Sequence, residues 1–115
     1  MRNLIKTVFL ILMLSSAKSF AASAGWSGKA DVTGIYVLNE NIALIKLSTF
    51  TNPGECAVDS NGDVILNPTT QKVWFTALLS AYMSGKTVNI YVGSGCKQTH
   101  WPSPSYGTIG HVRLL

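Results

Sequence analysis

A single segment of this chain has the apolar periodicity of a helix, and strand-like segments lie on both sides of it. We predict the helix over Thr69–Ser84, preceded by Asn67 as a candidate N-cap and by Pro68, which suits a first helical position. Gly85 has the residue type that closes a helix in a left-handed conformation. The apolar residues of its main face are Trp74, Ala77, Leu78, Ala81 and Tyr82. A lone helix in a β-rich chain must bury that face against a sheet.

The strand-like segments are rich in β-branched and aromatic residues and are separated by turn residues. They are Val32–Leu38, Ile42–Phe50, Asp63–Asn67, Lys86–Val92 and Thr108–Leu115, with a long loop over Gly93–Gly107. The order strand, strand, strand, helix, strand, strand is typical of the OB-fold, an all-β barrel of five strands with one helix. An open α+β sandwich with the same element order is the alternative.

The N-terminal segment has the pattern of a secretory signal peptide. A basic start precedes the apolar run Thr7–Leu14, and small residues then allow cleavage after Ala21 or Ala24. A membrane anchor is the less favoured reading, because a bilayer span needs about 20 apolar residues. We therefore predict a signal peptide over 1–24, one domain over 25–115, and a secreted or periplasmic protein without a membrane span.

The basic charge of the chain belongs mostly to that signal. Arg2, Lys6 and Lys18 leave with it, so a net charge of +4 becomes +1. No basic stripe remains that could pair with a phosphate backbone, so nucleic-acid binding is not expected.

Two cysteines remain in the predicted domain, Cys56 and Cys96. In an exported protein the expected state is a disulfide. A cysteine metal site would need His100 and His111 as further ligands, and the spacing does not favour it. We predict no metal and no cofactor.

Catalytic motifs for metalloprotease, serine hydrolase or phosphate-loop chemistry do not occur, and carboxylates are few. The sequence thus indicates a binding protein and not an enzyme. Aromatic residues are the candidates for ligand contact. Tyr36 and Tyr91 either face a ligand or form cross-strand packing, and Trp101 either lies exposed in a Pro-rich loop or folds over the disulfide.

A second apolar strip runs along the predicted helix beside the main face. It consists of Phe75, Leu79 and Met83. A helix that is apolar on more than one side is usually buried on more than one side. The strip is therefore a candidate subunit interface, or it lies in a groove of its own barrel.

Three features resemble the B subunit of subtilase cytotoxin and the small exported bacterial proteins grouped with it. They are the "GW" start at Gly25, the "CAV" at Cys56–Val58, and the run "YMSGKTVNIYV" at Tyr82–Val92. The resemblance implies an OB-fold that assembles as a ring of five with its helices lining the centre. It also implies a non-enzymatic module that binds a host or surface glycan and delivers a catalytic A subunit.

The resemblance places part of the glycan site at the first hairpin, which makes Tyr36, Asn39 and Glu40 candidates here. This hairpin departs from the toxin's polar Ser-Asp pattern. An alternative function is a periplasmic protein that inhibits or scaffolds another protein through the Gly93–Gly107 loop.

Overall fold

The computed structural model describes residues 22–115, which form a mostly β structure with one α-helix. The elements are β1 (Gly25–Trp26), β2 (Ala30–Asn39), β3 (Ile42–Leu47), β4 (Val64–Leu66), α1 (Lys72–Ser84), β5 (Thr87–Lys97) and β6 (Tyr106–Leu114). Apart from the two-residue β1, which was not predicted, three strands precede the helix and two follow it. The predicted element order is therefore confirmed. All but the end of the predicted signal peptide lies outside the described residues. Nowhere in residues 22–115 does a helix reach the length and apolar character that crossing a membrane requires.

Five strands pair in a closed ring. The order is β5–β2–β3–β4–β6, and β6 pairs again with β5. The β4–β6 contact is parallel and the other contacts of the ring are antiparallel. β1 lies outside this ring order and pairs with β5, where Trp26 is opposite Tyr91.

The main core fills the inside of the ring, because alternate strand residues point to opposite faces. Its buried members are Ala30, Val32, Ala43, Ile45, Leu47, Val64, Leu66, Leu78, Ala81, Val88, Ile90, Val92 and Ile109. Leu78 and Ala81 come from α1, so part of its predicted main face covers the core, but Tyr82 of that face is 45% exposed. Trp74 and Phe75 pack against the same core.

A second cluster lies on the opposite face of β3 and β4. Leu44, Ile65 and Tyr106 are buried there, and Trp101 packs against them. Leu44 and Ile65 alternate with core residues along their strands, so the outer face of the ring is apolar at this point. The connection between β5 and β6 folds back to cover it.

The helix begins at Lys72 and not at the predicted Thr69. The Asn67 side chain accepts hydrogen bonds from the backbone N–H of Thr69 and Thr70, at 2.9 and 3.1 Å. These are bonds of the kind that an N-cap side chain makes, although the regular helix starts only at Lys72. The helix end is as predicted, because Gly85 has φ 72° in the left-handed region.

Strand β5 continues to Lys97 and β6 begins at Tyr106, so the loop predicted over Gly93–Gly107 is confined to residues 98–105. The β5–β6 ladder is irregular between Val92 and Cys96, and regular pairing resumes with Cys96 opposite Gly107. The glycines of this segment, which indicated a loop, lie in an irregular strand instead. Similarly, β3 ends at Leu47 and not at Phe50.

Cys56 and Cys96 form the predicted disulfide, which joins the segment after β3 to the end of β5. The two residues are 40 positions apart in sequence. The chain-entropy model gives about 4 kcal/mol for a loop of this length, a large part of the stability of a small domain.

Removing the disulfide should therefore lower the melting midpoint by roughly 15 °C or more, since about 1 kcal/mol corresponds to about 4–8 °C in a domain of this size. The measurement is circular dichroism melting of the Cys56→Ser/Cys96→Ser variant. Wild type melted in reductant is the matched control and should fall to the same midpoint. A variant that melts with oxidised wild type would contradict the stabilising role.

Candidate functional site

The structure divides the predicted ligand-contact residues between separate surfaces. Tyr36 lies beside Trp101, with ring centroids 5.9 Å apart in an edge-to-face arrangement. Tyr91 lies beside Trp26 and His111, at 5.4 and 4.8 Å. The two surfaces have to be considered as different candidate sites.

A groove of about 280 Å³ lies next to Tyr36, and we call it the Tyr36 groove. Its lining residues are Thr33, Gly34, Ile35, Tyr36, Lys46, Ser60 and Asn61. Gly34 is opposite Lys46 in the β2–β3 ladder, so the absence of a side chain at Gly34 leaves an opening there. The Tyr36 side chain is 45% exposed, which leaves part of its ring available beside this opening.

The ammonium group of Lys46 is held in place by two acceptors. It donates to Asp63 Oδ1 and to the Asp59 carbonyl, each at 3.0 Å. Asp63 is buried, and its second carboxylate oxygen accepts the backbone N–H of Leu47 at 2.9 Å. Breaking a buried ion pair costs about 3–5 kcal/mol, and less where one partner is partly exposed, as Lys46 is here. The pair thus fixes one wall of the groove and neutralises its lysine.

The opposite wall, Ser60–Asn61, is fixed by Asp59. Asp59 Oδ1 accepts the backbone N–H of Asn61 and the hydroxyl of Tyr106, each at 3.0 Å. Asp59 Oδ2 accepts the Asn61 amide at 3.2 Å. Tyr106 belongs to the second cluster, so the groove wall is tied to the buried outer face of the ring.

Burial of the Tyr106 phenol, together with its hydrogen bond to Asp59 and the charge of that carboxylate, raises the pKa of Tyr106 from 10.0 to about 12. Each effect disfavours the phenolate.

Trp101 is half-buried and lies between Tyr36 and the second cluster. Its other aromatic neighbour is His100, with ring centroids 4.4 Å apart. Trp101 does not line the Tyr36 groove. Its contact with the Tyr36 ring supports that ring from outside the groove.

Asn39 is the last residue of β2 and Glu40 lies in the β2–β3 turn, and neither lines the Tyr36 groove. The Asn39 side chain accepts the backbone N–H of Asn41 at 2.8 Å, and the Glu40 carbonyl accepts the hydroxyl of Thr69 at 2.6 Å. Of the three hairpin candidates, the structure brings only Tyr36 to the groove.

The second aromatic surface is a row across three strands. The Tyr91 and His111 rings are stacked with an interplanar angle of 2°, and Trp26 meets both edge to face. Trp26 is 40% exposed. Cross-strand packing accounts for the contacts within this row.

The three candidate interface residues of α1 differ in exposure. Phe75 packs against the core, whereas Leu79 is 40% and Met83 76% exposed. Val73, which the sequence analysis did not single out, is 81% exposed. The helix therefore presents apolar side chains to solvent in the isolated chain.

Sequence reasoning missed Gly34, Lys46 and the Ser60–Asn61 wall as parts of a groove. The sequence indicates a turn in this segment, because its residues are of turn-forming types: Asp59, Ser60, Asn61 and Gly62. It does not indicate which strand the turn packs against. The pairing of β2 with β3 brings Gly34 opposite Lys46, and the Lys46 bond to the Asp59 carbonyl brings the Ser60–Asn61 wall beside them.

Comparison of the chain with protein-family models, with curated proteins and with solved structures finds no match.

Because the pKa of Tyr106 is higher in the folded state than its ordinary value, the protonated phenol stabilises the fold. This contribution is complete below about pH 10 and is lost as the pH rises from about 10 to about 12. The melting midpoint of wild type should therefore fall more steeply than that of Tyr106→Phe in this range, measured by circular dichroism. Tyr82→Phe, on the exposed helix surface, should keep the wild-type slope. If the melting midpoints of wild type and Tyr106→Phe fell in parallel with pH, the raised pKa of Tyr106 would be contradicted.

Proposed function

We propose that this protein is an exported, non-enzymatic binding module with an OB-fold, and that its Tyr36 groove takes a carbohydrate. The closed order β5–β2–β3–β4–β6, the parallel β4–β6 contact and the position of α1 between β4 and β5 support the OB-fold. OB-folds commonly bind oligosaccharides or oligonucleotides. The near-neutral charge expected of the mature chain favours an oligosaccharide over an oligonucleotide.

The carbohydrate proposal depends on the composition of the Tyr36 groove. A pyranose has an apolar face that packs on an aromatic ring, and hydroxyl groups that need hydrogen-bond partners. The groove supplies a half-exposed tyrosine ring together with the hydroxyls of Thr33 and Ser60 and the Asn61 amide. Lys46 is already neutralised by Asp63, so the groove carries no free charge of its own and suits an uncharged sugar unit.

Two variants test the groove on a glycan array. Tyr36→Ala removes the aromatic wall, and Gly34→Val fills the opening. The fold should tolerate a side chain at Gly34, because its Cβ would lie 3.7 Å from the Lys46 Cβ, an ordinary contact. Each should reduce binding at least about tenfold, while Tyr82→Ala, which removes an equally exposed tyrosine from the helix, should bind like wild type. A wild-type protein that binds no glycan, or a Tyr82→Ala loss equal to that of Tyr36→Ala, would contradict the proposal.

The exposed strip of α1 supports a homo-oligomer in which copies of the helix meet. Leu79 and Met83, four positions apart on one face of α1, are exposed apolar side chains that water solvates poorly, and Val73 is exposed elsewhere on the helix. The resemblance to toxin B subunits suggests a ring of five and a separate catalytic subunit as partner. The ring and the partner are parts of the same proposal.

Light scattering coupled to size-exclusion chromatography tests the oligomer. Wild type at micromolar concentration should elute with the mass of five chains, and Leu79→Lys/Met83→Lys should elute as a monomer, because burying two lysines in an apolar contact is unfavourable. Val37→Lys, a similarly exposed apolar residue on β2, should keep the wild-type mass. A strictly monomeric wild type would exclude the helix interface.

The alternative, a periplasmic inhibitor or scaffold of another protein, is favoured by a different observation. Trp26 and His111 are exposed and pack on Tyr91, and Trp and Tyr are enriched among the residues that dominate protein interfaces. The measurement is a pull-down from periplasmic extract. A stoichiometric partner that wild type captures and Trp26→Ala does not, together with a glycan array without binding, would favour this alternative.

A further inference from the structure

A second cleft, of about 260 Å³, lies where β4 ends and β6 continues, and we call it the Lys97 cleft. It is lined by Asn41, Ile65, Leu66, Asn67, Thr70, Gln71, Lys97, Thr108 and Ile109. It shares no residue with the Tyr36 groove. No Asp or Glu lines it, so Lys97 is the charged group of its lining.

Lys97 differs from Lys46 in its electrostatic partners. Within residues 22–115 the ammonium of Lys97 has neither an ion pair nor a hydrogen bond, whereas Lys46 is paired with Asp63. Glu40 adjoins Asn41 in sequence, but it is exposed in the β2–β3 turn and does not line the cleft. The positive charge of this cleft is therefore not compensated by its own lining.

Two amides in the cleft are oriented by the backbone. Gln71 Oε1 accepts the Asn67 backbone N–H at 2.7 Å. Asn67 Oδ1 accepts the backbone N–H groups of Thr69 and Thr70. With both carbonyl oxygens occupied, the NH2 ends of Asn67 and Gln71 are the free ends, and an amide NH2 only donates.

Neither NH2 group has a protein acceptor within the described chain. They are also not buried, since the one buried side-chain atom without a partner there is Asn89 Oδ1. These bonds before α1 therefore leave two accessible donors in the lining that also contains Lys97.

We propose that the Lys97 cleft binds a small oxyanion, a carboxylate or phosphate group carried by an otherwise compact ligand. The ammonium and the two amide NH2 groups offer only donors, and an oxyanion offers only acceptors. The hydroxyls of Thr70 and Thr108 can add donors, and the side chains of Ile65, Leu66 and Ile109 limit access of water from the core side. This site is independent of the carbohydrate proposed for the Tyr36 groove.

Side-chain amide resonances test the proposal directly. The purified, disulfide-bonded protein is titrated separately with sodium acetate and with sodium phosphate, and with sodium chloride at matched ionic strength. The Asn67 and Gln71 NH2 resonances should shift and saturate in at least one oxyanion arm but not in chloride, and the Asn61 NH2 of the Tyr36 groove should not move. Saturation with acetate alone indicates a carboxylate ligand, and saturation with phosphate alone indicates a phosphate ligand.

Lys97→Gln should weaken that binding about tenfold or more, because it removes the charge and keeps a side chain of similar length. Lys86→Gln, an exposed lysine outside the cleft, is the matched control and should bind like wild type. Unchanged melting midpoints of both variants check that the fold is intact. The proposal is overturned if neither oxyanion shifts Asn67 and Gln71, if chloride shifts them equally, or if Lys97→Gln binds like wild type.

Discussion

Closure of the five-strand ring depends on a short parallel contact between β4 and β6. Only Val64 opposite Gly107 and Ile65 opposite Thr108 pair there. A Cβ at Gly107 would lie 2.5 Å from Val92 Cγ1, so a larger residue could not bring β6 this close without displacing the core. The Gly107 N–H also donates to the Asp63 carbonyl at 3.1 Å. One glycine thus allows the ring to close.

This closure places the polar groups that shape the Tyr36 groove. Asp63 directly precedes β4, and its buried carboxylate holds Lys46 on one wall. Tyr106 directly precedes Gly107, and its hydroxyl holds Asp59 and through it the opposite wall. The groove is therefore an extension of the β4–β6 contact. A change that loosens this contact should affect the fold and the candidate site together.

The sequence could predict those features that depend on local chemistry. The Gly85 helix end and the pairing of the only two cysteines follow from residue type. The helix start does not, because Asn67 makes N-cap-type bonds although the helix begins only at Lys72. The Tyr36 groove could not be predicted, since Gly34 meets Lys46 only after β2 and β3 have paired. Aromatic residue type identified Tyr36 and Tyr91 as contact candidates, but only the topology shows that they belong to different surfaces.

The two concave sites differ mainly in how their lysines are neutralised, and this difference separates the ligands they can take. In the Tyr36 groove the buried Asp63 cancels the charge of Lys46, so the groove contributes shape, an aromatic ring and neutral polar groups. In the Lys97 cleft the amide oxygens of Asn67 and Gln71 are used within the backbone turn, and the donors remain unopposed.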